Sequence, residues 1–147
     1  MIAVVQRVKS SSVKVNNTQI ASINKGVNIL LGVIKEDNIN DVKKLAKKIA
    51  HLRIFPNSDG KFDKSLIDIK AEALVISQFT LGANVKKGNR PDFFNAMNPK
   101  EAKELYLEFI KELSNYVEVK SGEFGANMEV EIINDGPVTI IIDSKKL

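Results

Sequence analysis

Residues 134–139 read NDGPVT, and they lie between two of the most apolar runs in the chain, MEVEII (128–133) and IIID (140–143). Proline has no amide proton and interrupts a sheet ladder, so it is largely confined to edges, strand starts and bulges. A β pattern that breaks at Gly136-Pro137 and resumes at once has two readings. One is a tight turn between two strands, built from ordinary turn residues. The other is a functional loop held rigid by the strands on either side. Either way, the last fifth of the chain is β structure.

Working outward, MIAVVQRVKSSSVKV reads as an opening strand followed by a second. TQIASINKGVNILLGVI reads as a strand, a turn at Asn24-Lys25-Gly26 and a nearly continuous apolar strand covered on both faces. The period then changes. Val42, Leu45, Ala46, Ile49 and Ala50 fall at helical spacing and make one apolar stripe. LRIF reads as a short strand closed by the turn residues of PNSDGKF, and AEALVISQFTL as a return to a buried strand. NPKEAKELYLEFIKELSNYV is the clearest helix. Asn98 is placed to cap it, Pro99 fits its first turn, and Ala102, Leu105, Phe109 and Leu113 form its inward stripe. VEVKSG, MEVEII and VTIIID supply the final strands. The expected fold is one mixed α/β domain over residues 1–147, with two long helices packed on largely antiparallel sheets. Because about seven strands share two long helices, some sheet-on-sheet packing is expected, giving three α/β/β layers.

Absences narrow the chemistry. The chain has no cysteine, so thiolate nucleophiles, disulfides and thiolate zinc sites are excluded. His51 is the only histidine, and it ends the helical stretch DVKKLAKKIAHL, where a surface or structural imidazole is the plainer reading. Catalysis has to draw on hydroxyls, amides, carboxylates, backbone groups or the substrate itself, and neither metal nor cofactor is expected. The 22 Lys and Arg exceed the 18 Asp and Glu by four, a balance compatible with a polyanionic partner but not demanding one. Lys43, Lys44, Lys47 and Lys48 read as the solvated face of a helix. No apolar run reaches the 18 or so residues that span a bilayer. MIAVVQRVKSSS has no basic region ahead of its apolar residues, which leaves the cytoplasm as the default location.

Three stretches could carry chemistry. SQFTL, Ser77 to Leu81, ends a buried strand, where Ser77, Gln78 and Thr80 offer polar side chains and the turning backbone around Phe79 offers N–H groups. Such groups suit an oxyanion, or they simply satisfy a polar strand end. KKGNRPDFF places Lys86, Lys87 and Arg90 beside Phe93 and Phe94. Those residues could meet phosphate and stack on a base, or the aromatics could anchor the loop in the core. For Gly136-Pro137 the local sequence alone implies the commoner trans bond.

Taken together and in this order, the three stretches closely resemble the D-aminoacyl-tRNA deacylases. The likeness runs over essentially the whole chain, from MIAVVQRV through GVNILLGV to the end. Ser77, Gln78, Phe79, Thr80 and Leu81 match the family's Ser-Gln-Phe-Thr-Leu motif. Asn134, Gly136, Pro137, Val138 and Thr139 match its Asn-x-Gly-Pro-Val-Thr motif, and Arg90 to Phe93 its Arg-Pro-x-Phe. Two departures concern the rim of the cleft: Gly82 stands where the family often has an aromatic, and Asp92 where it often has serine.

The resemblance implies a homodimer that hydrolyses the ester joining a D-amino acid to the 3′-terminal adenosine of tRNA, a proofreading activity that can extend to glycyl-tRNA mischarged on tRNA(Ala). It implies a cis Gly136-Pro137 bond, inserted into the partner's active site and rejecting L-aminoacyl esters. Arg7 resembles the arginine that braces this loop, and Asn134 belongs to the same chiral-selection motif. Ser77, Gln78, Phe79 and Thr80 carry over as the catalytic stretch, with Lys86, Lys87, Arg90 and Phe93 toward tRNA. Thr80 reads either as a nucleophile or as a positioning residue. The second fits a chain with no histidine or lysine beside it in sequence, with backbone groups around Phe79 receiving the oxyanion and the ribose 2′-hydroxyl assisting water. Two rivals are a non-catalytic tRNA- or protein-binding module and a related deacylase with a trans Gly-Pro. The latter has one more residue between Asn and Gly, where only Asp135 intervenes here.

Overall fold

In the computed structural model, which describes residues 1–147, the opening stretch is one strand instead of two. β1 runs Ile2–Val15 without a break. The serines that hinted at an interruption are accommodated: Ser11 is buried, its hydroxyl donates to the Glu131 carbonyl (2.6 Å) and accepts from the Asn28 amide (3.0 Å). A two-residue turn at Asn16-Asn17, both in the left-handed region, leads into β2 (Thr18–Ile23). That is the turn chemistry of a twisted hairpin. β3 (Gly26–Gly32) follows the expected turn and pairs with the first half of β1, while β2 pairs with the second half.

α1 (Ile39–Ala50) opens with a capping box between Asn38 and Asp41 and buries the stripe Val42, Leu45, Ala46, Ile49 and Ala50. LRIF forms little strand. Only Phe55–Pro56 (β4) pairs with Phe62–Lys64 (β5), since Pro56 leaves the ladder short of a donor. A four-residue helix, α2 (Leu66–Ile69), was not expected; Ser65 and Asp68 cap it reciprocally.

β6 (Glu72–Ser77) lies parallel to β3, and β7 (Val119–Ser121) parallel to β6. Helices make both crossovers, as parallel pairing requires. The sheet is therefore antiparallel around β1 and parallel from β3 outward. α3 (Pro99–Ser114) is capped by Asn98, whose side chain accepts from the Glu101 amide. Its inward stripe is Ala102, Tyr106, Phe109 and Leu113; Leu105 is only partly buried. Tyr106 takes the core position because its hydroxyl donates to the Val75 carbonyl (2.9 Å), and burial pushes its pKa up to about 12.

The final stretch is likewise one strand. β8 (Glu129–Asp143) pairs antiparallel with the outer edge of β1 over Glu129–Asn134 and again over Thr139–Asp143. Neither a hairpin turn nor a break separates MEVEII from IIID. Gln6 pairs with Thr139 and Val8 with Asn134, so Asp135, Gly136, Pro137 and Val138 together face Arg7 alone. This is a bulge, where proline's missing donor does least harm. The Gly136–Pro137 peptide is cis.

Alternation in β6 divides the core. Ala73 and Val75 join the main cluster with the residues of α1 and α3, whereas Leu74 and Ile76 pack with Val8, Val13 and Ile23 on the opposite face. No helix is long and apolar enough to cross a membrane.

Candidate active site

At the carboxyl end of β6 the chain keeps one more ladder bond, from the Gln78 amide to the Leu31 carbonyl (2.8 Å), and then turns. Phe79–Gly82 forms a single 3₁₀ turn. Its first amides, Phe79 and Thr80, have no acceptor within the turn. The turn sits hard against β3 because Gly32 leaves it room. A Cβ there would stand 3.0 Å from the Gln78 carbonyl and 2.8 Å from Leu81 Cβ.

Beside this turn opens a cleft of about 610 Å³. Ser77, Gln78 and Phe79 form one wall, Phe93 and the start of α3 (Asn98, Pro99) another. Its floor is apolar: Leu31, Val33, Ile76, Ala102, Phe124 and Met128. The size and lining are those of a small-molecule site with few polar groups. Phe79 and Phe93 meet edge to face at 5.0 Å, which joins the SQFTL turn to the loop of residues 84–92. That loop is closed at its base by Asn84 and Asp92, which exchange amide and carbonyl at 2.8 and 3.0 Å. Lys86, Lys87 and Arg90 are exposed on it, outside the cleft wall.

Thr80 is also exposed and does not line the cleft; its hydroxyl accepts from Gln78 Nε2 at 2.5 Å. His51 is remote, on the surface, with Nδ1 against the Lys47 carbonyl and its ring edge-on to Tyr116. No group of three or more His, Asp or Glu side chains is placed to hold a metal ion.

The Gly-Pro bulge is built as firmly as the turn but lies elsewhere. Arg7, 8% exposed, donates through Nε to the Asp135 carbonyl (3.1 Å) and through Nη1 to the Ile54 carbonyl (2.7 Å). Its guanidinium also lies 3.5 Å from the Asp135 carboxylate and 5.6 Å from the centre of the Phe62 ring. From the other side, Asn134 accepts from the Val138 amide (3.1 Å) and donates to the Thr139 hydroxyl (3.4 Å). Gly136 adopts φ +126°, a region that side chains rarely enter. β1 and β3 separate β8 from β6, which puts the bulge about 14 Å across the sheet from the turn. Arg7 is level with Val27 and Ala73, and the step from Ala73 to Ser77 adds about 13 Å along β6. Within one chain, Gly136 and Pro137 do not reach the cleft that Ser77, Gln78, Phe79 and Phe93 share.

Residues 4–143 match the D-Tyr-tRNA(Tyr) deacylase family. The chain belongs to that family. With this membership it is a hydrolase of the aminoacyl-tRNA class, and its relatives agree at full length. A D-aminoacyl-tRNA deacylase of Nitratiruptor sp. is 62% identical, and one of Persephonella marina 59% identical, each over 100% of both chains. Among solved structures, the c-Myc DNA Unwinding Element Binding Protein superposes with a TM-score of 0.92 at 44% identity, covering 97% of this chain and 98% of that one. A probable eukaryotic D-amino acid tRNA deacylase shares the fold, with a TM-score of 0.80 at 18% identity over 96% of this chain and 97% of that one.

The apolar floor of this cleft escaped the sequence reading. Phe124 falls in EFGAN, which is assigned to no element, Met128 opens MEVEII, which reads as a strand, and Leu31, Val33 and Ile76 read simply as core. Only an aromatic and a methionine set among Gly and Asn could have signalled a lined site there.

Proposed function

We propose that this deacylase hydrolyses D-aminoacyl-tRNA to free D-amino acid and tRNA, acting as a homodimer whose two clefts each receive the Gly136-Pro137 bulge of the other subunit. The observation that carries this reading is the separation just described. Two firmly built family motifs stand roughly 19 Å apart in one chain, and a second copy is the simplest way to unite them. β8 is an edge strand with Ile133 and Ile141 exposed, Ile141 at 72%, which is a face suited to burial between copies.

In the joint site, the apolar floor takes the terminal adenosine, and the ester lies against the Ser77–Phe79 wall. Water adds to the ester carbonyl, and the negative charge that develops on oxygen is received by the Phe79 and Thr80 amides, which the turn itself leaves without acceptors. Collapse of the tetrahedral species breaks the bond to the ribose 3′ oxygen, which takes the proton. The neighbouring 2′-hydroxyl orients the water, so the protein needs no side-chain base. Gly136 and Pro137, with Arg7 and Asn134 holding them, present main chain where an L side chain would have to lie. A glycyl ester has no side chain to reject, so clearance of glycyl-tRNA mischarged on tRNA(Ala) follows from the same exclusion. Lys86, Lys87 and Arg90 face the polynucleotide, and the activity belongs to the cytoplasm, where charged tRNA is used.

The test is ester loss from matched D- and L-tyrosyl-tRNA. Rapid loss of the D ester alone is expected, and comparable loss of both would remove the proposal. A second reading, a DNA-binding protein, is favoured only by the name of the 44%-identical structural relative. It predicts tight binding of DNA together with no cleavage of either ester.

A further inference from the structure

We infer that Phe94 and Lys35 form a stacking platform for the nucleotide that precedes the terminal adenosine of tRNA, outside the cleft that takes the ester. The inference rests on the reading of that cleft as the site of the tRNA 3′ end, and it adds residues that reading does not use.

Phe93 and Phe94 are adjacent yet do opposite things. Phe93 turns into the cleft wall against Phe79. Phe94 is 76% exposed, the most exposed of the chain's large apolar side chains, so it anchors nothing in the core. An aromatic left in water beside a functional cleft calls for an occupant. The backbone beneath it is well fixed. Its amide donates to Asp92 Oδ1 (3.2 Å), and the Ala96 amide to the Phe93 carbonyl (3.0 Å). The Lys35 amide donates to the Asn95 carbonyl (2.9 Å), tying the segment to the continuation of β3.

Lys35 Nζ sits 3.3 Å from the centre of the Phe94 ring. One face of the ring thus carries a cation, and the exposure of the side chain leaves the other face to solvent. A polynucleotide needs this combination outside a base pocket: a flat surface for a base and a positive charge within reach of its phosphate. Lys86, Lys87 and Arg90 on the adjoining loop extend the positive charge. Because Phe93 and Phe94 are consecutive, a strand whose last nucleotide lies beyond Phe93 in the cleft brings its preceding nucleotide to Phe94. The occupant is the penultimate cytidine of the tRNA 3′ end.

The experiment compares wild type and Phe94→Ala on three D-tyrosyl esters: of adenosine alone, of a cytidylyl-cytidylyl-adenosine trinucleotide, and of tRNA. Loss of a stacked base is expected to lower kcat/KM about tenfold for the trinucleotide and the tRNA. The adenosine ester should change less than twofold, and Phe94→Tyr should restore the longer substrates. Lys35→Met should flatten the dependence of tRNA cleavage on salt. Equal losses on all three esters, or no loss on any, overturn the platform. A wild type that cleaves none of the three overturns the deacylase reading instead, and the platform with it.

Discussion

The carbonyl of Asp135 and the carbonyl of Ile54 are joined through one side chain: Arg7 donates to the first at 3.1 Å and to the second at 2.7 Å. A planar guanidinium holds both at once, and a single ammonium cannot. Arg7→Lys should therefore fold with a stability loss of about 1–3 kcal/mol, since one buried carbonyl loses its partner. Deacylation should fall at least tenfold. Chemical denaturation and D-tyrosyl-tRNA cleavage check the two effects, and a variant equal to wild type in both would discard the brace.

Gly136→Ala places a Cβ 2.9 Å from Val138 Cγ2 and 3.0 Å from Arg7 Nη2, at a φ of +126°. Backbone strain of this kind costs about 1–3 kcal/mol. The domain should remain folded by circular dichroism while D-aminoacyl cleavage drops by two orders of magnitude or more. Undiminished rate and selectivity in the folded variant would refute the role given to the bulge.

Thr80→Ala should keep activity within about tenfold of wild type, because the hydroxyl accepts from Gln78 and lies outside the cleft. Loss of an essential nucleophile costs several orders of magnitude. Single-turnover rates decide the matter, and an acyl group trapped on Thr80 would reverse it.

The proposed sharing of the site between subunits gives a mixing test. Gly136→Ala combined with an inactive variant of the Ser77–Phe79 wall should regain about a quarter of wild-type activity after subunit exchange, since half the dimers are mixed and each has one intact site. Activity that stays at the sum of the two parents would mean that each chain is complete alone.

Asp41 sets an acid limit on the fold. Burial raises its pKa, but hydrogen bonds from Lys145, the Asn38 amide and Ser144 outweigh this and bring it to about 2. The folded carboxyl thus titrates below the ordinary 3.8, and its stabilisation is complete above about pH 4 and lost as pH falls through 2. Asp41→Asn should cost about 1–2 kcal/mol at neutral pH, allowing for solvent screening, and should flatten the stability profile between pH 4 and 2. Urea midpoints across that range provide the measurement.

The sequence was most legible where one local pattern acts alone. The stripe from Val42 to Ala50 and the Asn98 cap are set by spacing and a single side chain, and both stand as read. Polar residues misled wherever a distant partner satisfies them. Ser11 looks like a break in β1 until the Glu131 carbonyl is opposite it, and Tyr106 has no place in the inward stripe of α3 until its hydroxyl meets the Val75 carbonyl. The NDGPVT stretch shows the same limit. Proline announces an irregularity, but only the register with Gln6 and Val8 makes it a bulge inside one strand. The cleft floor was invisible because Leu31 and Ile76 differ from core residues only in what lies beyond them.

β1 pairs with β2, β3 and β8 and also carries Arg7. The segment that steadies the bulge is therefore the spine of the whole sheet, not a lid that can loosen by itself. Amides of β1 should exchange with solvent only through global opening. With the role proposed for the bulge, stereochemical fidelity has no softening point of its own: on heating, the protein should stay selective up to the temperature at which it ceases to be folded.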